Sequence, residues 1–326
     1  MKLLAIDGNS ILHRAFYGVK TALSNKRGVP TNAVFGFMNI YLKNLNAVNP
    51  DAVAVAFDRS EPTFRHNAVA TYKANRHGMP DDLAPQLPIT KKILSLMGIK
   101  VIDYAGYEAD DILGTLAKAC SDNGDQCFIL TGDRDSLQLV NENVTVMLTT
   151  NKETVKYTPE KFMEDYGFQP INIIDFKGLM GDSSDNISGV AGIGEKTASA
   201  LVKEFTTVEN LYEKYQDSGL TKGVKKKLEN GKESAFESKW LATICRDVPI
   251  DTVTAHYIPD KPDNEKLSSF LSELEMFTVL DKLTLIIPEK PEDVKPIEVN
   301  KIPLTSEIIK SLKECIYTFN YEKLSV

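Results

Sequence analysis

Aspartates stand at the ends of apolar segments in this sequence of 326 residues. Three segments typical of buried strands are each followed by an aspartate, in LLAI-Asp7, AVAF-Asp58 and FILTG-Asp133. One aspartate in such a place is usually a turn residue or a helix N-cap. Three that meet at one sheet edge would repel one another by about 3 kcal/mol per pair at a spacing of roughly 5 Å. Their convergence therefore predicts a bound cation.

More acids follow in three motifs. They are Glu108, Asp110 and Asp111 in YEADD, Asp135 in TGDRD, and Asp182 and Asp185 in GDSSDN. YEADD begins a predicted helix whose dipole favours negative charge, so Asp110 or Asp111 could be only a cap. Because no histidine or cysteine clusters with them, the oxygen ligands suit Mg²⁺ or Mn²⁺ better than zinc. Paired ions of this kind activate a water molecule and stabilise the attacking and leaving oxygens in a displacement at phosphorus. The acids therefore indicate phosphodiester hydrolysis.

Alternating strands and helices are predicted to position these acids. Apolar β-rich segments lie at 3–6, 52–57, 99–102, 127–130 and 144–148, and apolar residues at helical spacing lie at 33–45, 87–97 and 110–119. This alternation predicts an α/β fold with a mostly parallel central sheet. In such sheets the ligand site lies beyond the carboxyl ends of the strands, which is where the aspartates fall.

Beyond residue 158 the pattern becomes purely helical, with helices predicted at 159–166, 197–205, 208–215 and 234–244. We therefore expect an α/β core at 1–158 and an all-helical subdomain at 159–287. The segment PEKPEDVKP, which begins at Pro288, is typical of a linker. Residues 288–326 are expected to be this linker and the start of a following domain.

Composition favours a globular chain with a large core, since 42% of the residues are hydrophobic. No apolar run approaches the roughly 18 residues that cross a bilayer, and the N-terminus lacks the pattern of a signal peptide. The four cysteines show no metal-binding or redox spacing. We expect a monomer in the reducing cytoplasm that does not contact membranes.

The net charge of -7 argues against general binding to nucleic acid, because lysine and arginine bind phosphates. Two basic stretches are local exceptions. One contains Arg59, Arg65, Lys73 and Arg76, and the other contains Lys222, Lys225, Lys226 and Lys227. Either could be a solvated surface. The first also carries Phe64 and Tyr72 directly after Asp58, and this mixture of cations and aromatic rings favours a path for single-stranded DNA.

A glycine-rich turn precedes one of the predicted helices. The run ISGVAGIGEKTA contains Gly189, Gly192 and Gly194, followed by Lys196 and Thr197. Glycines let the backbone approach a phosphate, and the N–H groups at a helix N-terminus point toward the anion. The spacing differs from that of a Walker loop and predicts a helix-hairpin-helix at about 183–205 that binds DNA.

Several long motifs together resemble one family. They are IDGNSILHRAFY, FRHNAVATYKANR, YEADD, TGDRDSLQLV and GLMGDSSDNISGVAGIGEKTA, which span most of residues 1–288. The sequence resembles the bacterial 5′ nucleases of the flap endonuclease superfamily, in particular the N-terminal 5′–3′ exonuclease domain of DNA polymerase I. The resemblance implies cleavage of branched or 5′-flapped DNA, 5′ ends and RNA–DNA primer junctions in replication and repair, with two or three divalent ions.

The resemblance also implies roles for individual residues. The implied metal ligands are Asp7, Asp58, Glu108, Asp110, Asp111, Asp133, Asp135, Asp182 and Asp185. The implied phosphate-steering groups are Arg65, Tyr72, Lys73 and Arg76, in a helical arch at about 59–82 with Lys73 as the arch lysine. A K⁺ ion at the helix-hairpin-helix would be held by backbone carbonyls near Val190 and Ile193, with Lys196 beside the downstream duplex.

Two other classes of function are compatible with parts of the sequence. A non-catalytic DNA-binding module would need replaced carboxylates, and all nine are present. A ribonuclease of the PIN type shares an acidic site on a similar sheet, but PIN domains lack the helix-hairpin-helix and the basic arch. Polymerase I proteins continue into further domains, whereas this sequence stops at Val326, and residues 301–326 resemble the opening of the next domain. We therefore expect no polymerase activity.

Overall fold

A six-stranded sheet forms the centre of the fold. The computed structural model describes residues 1–286 except Ala22, His77 and Asn151. The strands are β1 (Lys2–Asp7), β2 (Ala52–Ala56), β3 (Lys100–Ile102), β4 (Gln126–Thr131), β5 (Val144–Thr149) and β6 (Thr154–Tyr157). Their order is β3-β2-β1-β4-β5-β6, and all neighbours are parallel except the antiparallel pair β5 and β6. The predicted mostly parallel sheet is confirmed, and β6 is a strand that the sequence pattern did not indicate.

The central strands are buried. Every residue of β2 and all but the first residue of β1 are shielded from solvent. Parallel strands covered on both faces need continuous apolar sequences, which is what these segments contain. Asp7 lies beside Ala56 in the sheet, and β4 pairs with the other side of β1. Because β1, β2 and β4 are parallel neighbours, Asp7, Asp58 and Asp133 share one edge.

Thirteen helices accompany the sheet in the described part of the chain. They are α1 (Gly8–Gly18), α2 (Asn32–Val48), α3 (Phe64–Ala68), α4 (Gln86–Leu96), α5 (Ala109–Asn123), α6 (Pro159–Tyr166), α7 (Ile173–Met180), α8 (Glu195–Phe205), α9 (Val208–Lys214), α10 (Lys222–Asn230), α11 (Lys232–Ala242), α12 (Asn264–Glu273) and α13 (Phe277–Ile286). The predicted helices correspond to α2, α4, α5, α6, α8, α9 and α11. The sequence pattern did not predict the other six, among them α1, which begins directly after β1.

Residues 1–282 form one compact unit, and residues 283–326 form a second unit that is described only to residue 286. The expected boundary at 158 falls between β6 and α6, inside the first unit. Leu3 and Ile129 of the sheet belong to the same buried apolar cluster as Leu201 and Phe205 of α8. The sheet and the helices of the first unit are therefore held together by a shared core.

The expected linker and tail from Pro288 onward lie outside the described residues. Within residues 1–286, and apart from the three positions left undescribed, no helix is long and apolar enough to cross a membrane.

The segment 59–82, called the arch segment below, has one short helix, and its other described residues are turns and irregular chain. In its described residues the helical part is the five-residue α3, and residues 70–75 form consecutive turns. Lys73 has a φ of 54°, a left-handed conformation that a continuing helix cannot contain. The Lys73 N–H donates to the Asp185 carbonyl oxygen at 2.9 Å. Contacts with the GDSSDN turn therefore hold this segment over the sheet edge.

Candidate active site

The carboxyl edge of the sheet holds the strand-end aspartates. Asp7 is buried, and its carboxylate accepts hydrogen bonds from the Ser10 N–H at 2.9 Å and from Thr131 Oγ1 at 2.8 Å. Thr131 is the last residue of β4, so the second bond joins the ends of β1 and β4. Thr131 Oγ1 also accepts the Asp133 N–H at 3.0 Å. One threonine therefore fixes both Asp7 and Asp133.

Helix α5 brings further acids to the same edge. The N–H of Ala109, the first residue of α5, donates to Asp58 Oδ1 at 2.8 Å. Asp110 follows in the first turn, and Ser136 Oγ donates to its Oδ1 at 3.4 Å. The loop after β4 and the N-terminus of α5 are thereby joined beside the strand ends.

Burial and crowding raise the pKa values of these carboxyl groups. Burial, and then the charges of Asp58 and Asp133, raises the pKa of Asp7 to about 7. Burial and the charge of Asp133 raise the pKa of Asp135 to about 7. The pKa of Asp110 lies well above its ordinary value, first because of burial and then because of the charges of Asp7 and Asp133. Ionising these buried, crowded carboxyl groups is therefore unfavourable without an added counter-charge, and a bound cation would supply one.

One lysine outside the predicted site lies among the acids. Lys177 of α7 is buried, and its Nζ donates to Asp135 Oδ1 and, at 2.6 Å, to Asp182 Oδ2. Burial alone would lower the pKa of Lys177, but the two carboxylates outweigh it and raise the pKa. Burial alone would raise the pKa of Asp182, but its partners, Lys177 first among them, together outweigh burial and lower it. The signal in the sequence is a lysine in the mainly apolar stretch IIDFKGLM, whose other charged residue is Asp175.

The arch segment contributes two more cations to this edge. Lys73 Nζ donates to Glu108 Oε1 at 2.8 Å and lies 3.7 Å from Asp185 Oδ2. Arg76 Nη2 donates to Asp185 Oδ1 at 2.5 Å. These two predicted phosphate-steering residues are therefore paired with acids of the predicted metal site, Lys73 largely shielded from solvent and Arg76 about half exposed.

Arg65, a predicted phosphate-steering group, and Asp111, a predicted metal ligand, form an ion pair inside the protein. Arg65 is 2% exposed and Asp111 is 0% exposed. Two guanidinium nitrogens donate to the two Asp111 oxygens at 2.8 and 2.9 Å. Arg65 also donates to the carbonyl oxygens of Leu241 and Thr243 at the end of α11. Arg65 Nη1 also lies 3.3 Å from Glu108 Oε2, so the pair joins α3, α5 and α11 beside the sheet edge.

Tyr72 is also buried, so its ring is not a surface on which a base could stack. Its hydroxyl donates to Glu108 Oε2 at 3.1 Å. Together with Lys73, Tyr72 holds Glu108 in place. A stretch of alternating basic and aromatic residues cannot reveal from sequence which of its side chains turn inward.

The glycine-rich turn joins α7 to α8 as a hairpin. Gly189 and Gly192 have φ values of 62° and 82°, and a Cβ at Gly189 would lie 2.2 Å from the Gly181 backbone nitrogen. Only glycine fits the chain path at position 189. Gly194 is the N-cap of α8, and Lys196 is exposed in the first turn of that helix. The helical pair is thus α7 and α8, so the motif includes a helix before the predicted start at 183.

The interior of this hairpin is apolar. Val190 and Ile193 are buried, and the Ile193 N–H donates to the Val190 carbonyl oxygen at 2.9 Å. Thr197 is half-buried in α8. Lys227 Nζ, from the second basic stretch, donates to the Gly192 carbonyl oxygen at 2.9 Å. The hairpin and the basic helix α10 are therefore adjacent.

The donor set at the sheet edge is chemically suited to divalent cations. We call it the acidic cluster, and its members are Asp7, Asp58, Glu108, Asp110, Asp133, Asp135, Asp182 and Asp185. All of its donors are carboxylate oxygens, which hard cations prefer. Among the described residues, no three acidic, histidine or cysteine groups are arranged to hold one ion as they stand. The pairing of several carboxylates with Lys73, Arg76 and Lys177 accounts for this arrangement.

The metal-free protein should lose stability as the pH rises. The pKa values of Asp7 and Asp135 are raised from 3.8 to about 7 on folding. Between those values the folded state binds more protons than the unfolded chain, so the free energy of unfolding falls with increasing pH. The pKa of His13 is lowered, first because of burial. This shift makes the free energy of unfolding rise with pH, but only below the ordinary histidine pKa of 6.5.

We therefore expect the Tm in EDTA to fall between pH 6.5 and about pH 8. Thermal unfolding followed by circular dichroism measures it, and added Mg²⁺ should diminish the fall. A Tm that rises through this range in EDTA would contradict the direction of the carboxyl pKa shifts.

Known proteins share both parts of this structure. Residues 2–167 match the 5′–3′ exonuclease N-terminal resolvase-like domain, and residues 168–265 match the 5′–3′ exonuclease C-terminal SAM fold. The chain belongs to the 5′–3′ exonuclease family.

Curated relatives include DNA polymerase I of Caldicellulosiruptor bescii, which is 38% identical over 344 residues that cover 100% of this chain and 40% of the relative. DNA polymerase I of Bacillus subtilis is 41% identical over 316 residues, which cover 95% of this chain and 36% of the relative. The chain thus spans two fifths or less of the length of these two relatives.

Solved structures show the same fold. The T5 5′-exonuclease with bound zinc has a TM-score of 0.61 at 20% identity, covering 88% of this chain and 98% of the other. The catalytic core of Rad2 in complex with DNA substrate has a TM-score of 0.58 at 20% identity, covering 88% of this chain and 91% of the other.

Proposed function

We propose that the chain hydrolyses phosphodiester bonds at the 5′ ends and 5′ flaps of DNA, using divalent cations held by the acidic cluster. The observation that carries this proposal is the burial of mutually repelling carboxylates at one sheet edge, in a chain of the 5′–3′ exonuclease family. RNA–DNA primer junctions belong to the same class of substrate. The proposed site of action is the cytoplasm, and the proposed active form is a monomer.

Two or three Mg²⁺ or Mn²⁺ ions are the proposed cofactors. When bound, they would supply an activated water molecule and stabilise charge on the oxygens at phosphorus. The T5 5′-exonuclease, a structural neighbour, was solved with zinc bound. Asp111 is left out of the proposed ligand set because Arg65 and the N–H groups of Glu108 and Cys245 use its oxygens.

The chain's own residues position the acids and the substrate. Thr131 and the N-terminus of α5 hold the strand-end aspartates by hydrogen bonds. Lys73 and Arg76 would turn from Glu108 and Asp185 to a phosphate when DNA enters. Such an exchange would free carboxylates as substrate binds, so the arch segment would connect DNA binding to assembly of the active site.

The hairpin between α7 and α8 is the proposed site for the duplex backbone. Exposed Lys196 offers a point charge, and the N-terminus of α8 offers N–H groups to a phosphate. Thr197 lies in the same turn, and α10 extends the basic surface. A K⁺ ion near the carbonyls of Val190 and Ile193 is part of this proposal. Rad2, a neighbour with the same fold, was solved with a DNA substrate.

A 5′-flap oligonucleotide tests the proposed function. We expect 5′-phosphate products in Mg²⁺, no cleavage in EDTA, and slower cleavage of a single-stranded RNA of the same length. Preferred cleavage of the RNA would favour a ribonuclease of the PIN type. Flap binding without cleavage in Mg²⁺ would favour a non-catalytic DNA-binding module.

Lys73→Ala tests the role of the arch segment. We expect the single-turnover rate at saturating flap to fall by roughly a hundredfold, because a cation that stabilises charge at the scissile phosphate is lost. Quench-flow with labelled flap measures the rate, and fluorescence anisotropy measures the affinity. Lys91→Ala is the matched control, since Lys91 pairs with Asp103 outside the acidic cluster and should leave the rate unchanged. Loss of affinity alone would make Lys73 a general electrostatic contact.

A further inference from the structure

Lys177 is the one charged group of α7 that contacts two members of the acidic cluster among the described residues. Its Nζ bridges Asp135, from the loop after β4, and Asp182, from the turn after α7. The helix is otherwise mainly apolar, with Ile173, Phe176 and Leu179 buried, and its buried Asp175 pairs with Lys239. The ammonium is therefore held by these two carboxylates inside the protein.

The Lys177 ammonium and a divalent cation compete for the same carboxylate oxygens of Asp135 and Asp182. A lysine ammonium has three donors and no acceptor, so it cannot itself be a metal ligand. It is also a positive charge, which repels a second cation at short range. An ion bound by Asp135 and Asp182 would therefore have to move Lys177 away.

The structure contains a space into which Lys177 could move. A cleft of about 950 Å³ lies between α6, α7 and α8, and Lys177 and Asp182 both line it. Glu195 of α8 lines the same cleft and is exposed. Asp165, Arg134 and Lys203 also line the cleft, so a displaced ammonium would remain near solvent among groups of both charges.

We propose that Lys177 is an internal counter-ion that holds Asp135 and Asp182 together before metal binds and leaves them when a divalent cation enters. The inference rests on the proposed metal-binding role of the acidic cluster. Lys177 thereby stabilises the metal-free protein and weakens its affinity for metal, since part of the binding free energy is used to displace the ammonium.

The test is Mn²⁺ binding to the whole chain without DNA, measured from the paramagnetic resonance signal of free Mn²⁺. Lys177→Met removes the competing charge and should tighten Mn²⁺ binding by about tenfold, the effect expected for losing a charged hydrogen bond. In EDTA the Tm of this variant should fall, because Asp135 and Asp182 then repel each other. Saturating Mn²⁺ should restore the Tm.

Lys239→Met is the matched control. Lys239 also bridges two acids, Asp175 and Glu209, but neither belongs to the acidic cluster. This variant should also lose Tm, with unchanged Mn²⁺ affinity, and its Tm deficit relative to the wild type should persist in saturating Mn²⁺. Lys177→Arg keeps the charge and should bind Mn²⁺ about as weakly as the wild type.

Mn²⁺ affinity that is unchanged or weaker in a folded Lys177→Met protein would overturn the inference while leaving the proposed function intact. A wild-type protein that binds no Mn²⁺, or whose binding survives Asp133→Asn unaltered, would instead overturn the proposed metal site itself. The two failures are therefore distinguishable in one set of titrations.

Discussion

Asp133→Asn is expected to lower the single-turnover rate of flap cleavage on the order of a thousandfold, because electrostatic stabilisation at phosphorus depends on the charge of the acidic cluster. Asparagine has nearly the same shape, and the Asp133 N–H can still donate to Thr131 Oγ1. The fold and the surfaces proposed to bind DNA should persist. Flap affinity measured in Ca²⁺ should therefore stay close to that of the wild type, while the quench-flow rate in Mg²⁺ collapses.

Asp51→Asn is the matched control for this loss. Asp51 precedes β2 at the opposite edge of the sheet, where its carboxylate accepts the Lys2 N–H at 2.8 Å. The control removes one negative charge of the same kind and should retain full activity. Equal rates for Asp133→Asn and the wild type would show that catalysis does not depend on this edge.

Arg65→Leu is expected to destabilise the protein by about 3 to 5 kcal/mol, because it leaves the buried Asp111 charge without its partner. The substitution also removes the donors to the carbonyls of Leu241 and Thr243, so the hydrogen bonds between α3 and the end of α11 are lost. Urea unfolding followed by circular dichroism measures the change.

Arg59→Leu provides the comparison for that prediction. Arg59 is also an arginine of the arch segment, but its side chain is 41% exposed and pairs with Glu61 and Asp103 at the surface. Its loss should cost less than about 1 kcal/mol. A cost of that small size for Arg65→Leu would contradict its structural role and would restore the expectation of a phosphate contact.

The position of the strand-end acids could be predicted from sequence because the physical signal is strong and local. A buried parallel strand needs a continuous apolar run, and an aspartate directly after it can lie only at the carboxyl edge. Asp7, Asp58 and Asp133 meet both conditions. The helix-hairpin-helix turn was similarly accessible, since the positive φ at Gly189 and Gly192 requires a residue type that the sequence displays.

The direction of the arch side chains could not be predicted in this way. Arg65 and Lys73 are both basic and both contact Glu108, yet Arg65 is in addition enclosed by Asp111 and Leu241. These partners lie 35 or more positions away in the chain. Burial of a charge depends on such long-range pairing, which periodicity does not record.

Lys177 and β6 were missed for related reasons. Lys177 lies in a mainly apolar stretch, and its role depends on the fold that brings Asp135 beside it. Strand β6 has only four residues, lies at the edge of the sheet and contains polar residues, so its hydrophobic pattern is weak. Both features become visible only when tertiary structure brings the segments together.

The most direct test of the central claim is anomalous diffraction from a crystal soaked in Mn²⁺ with a 5′-flap oligonucleotide. We predict Mn²⁺ peaks within bonding distance of carboxylates of the acidic cluster, including Asp7, Asp110 or Asp133, with the scissile phosphate beside them. Arg65 and Asp111 should remain paired with each other. Strong Mn²⁺ peaks elsewhere on the protein, with none at the acidic cluster when flap is bound, would contradict the account.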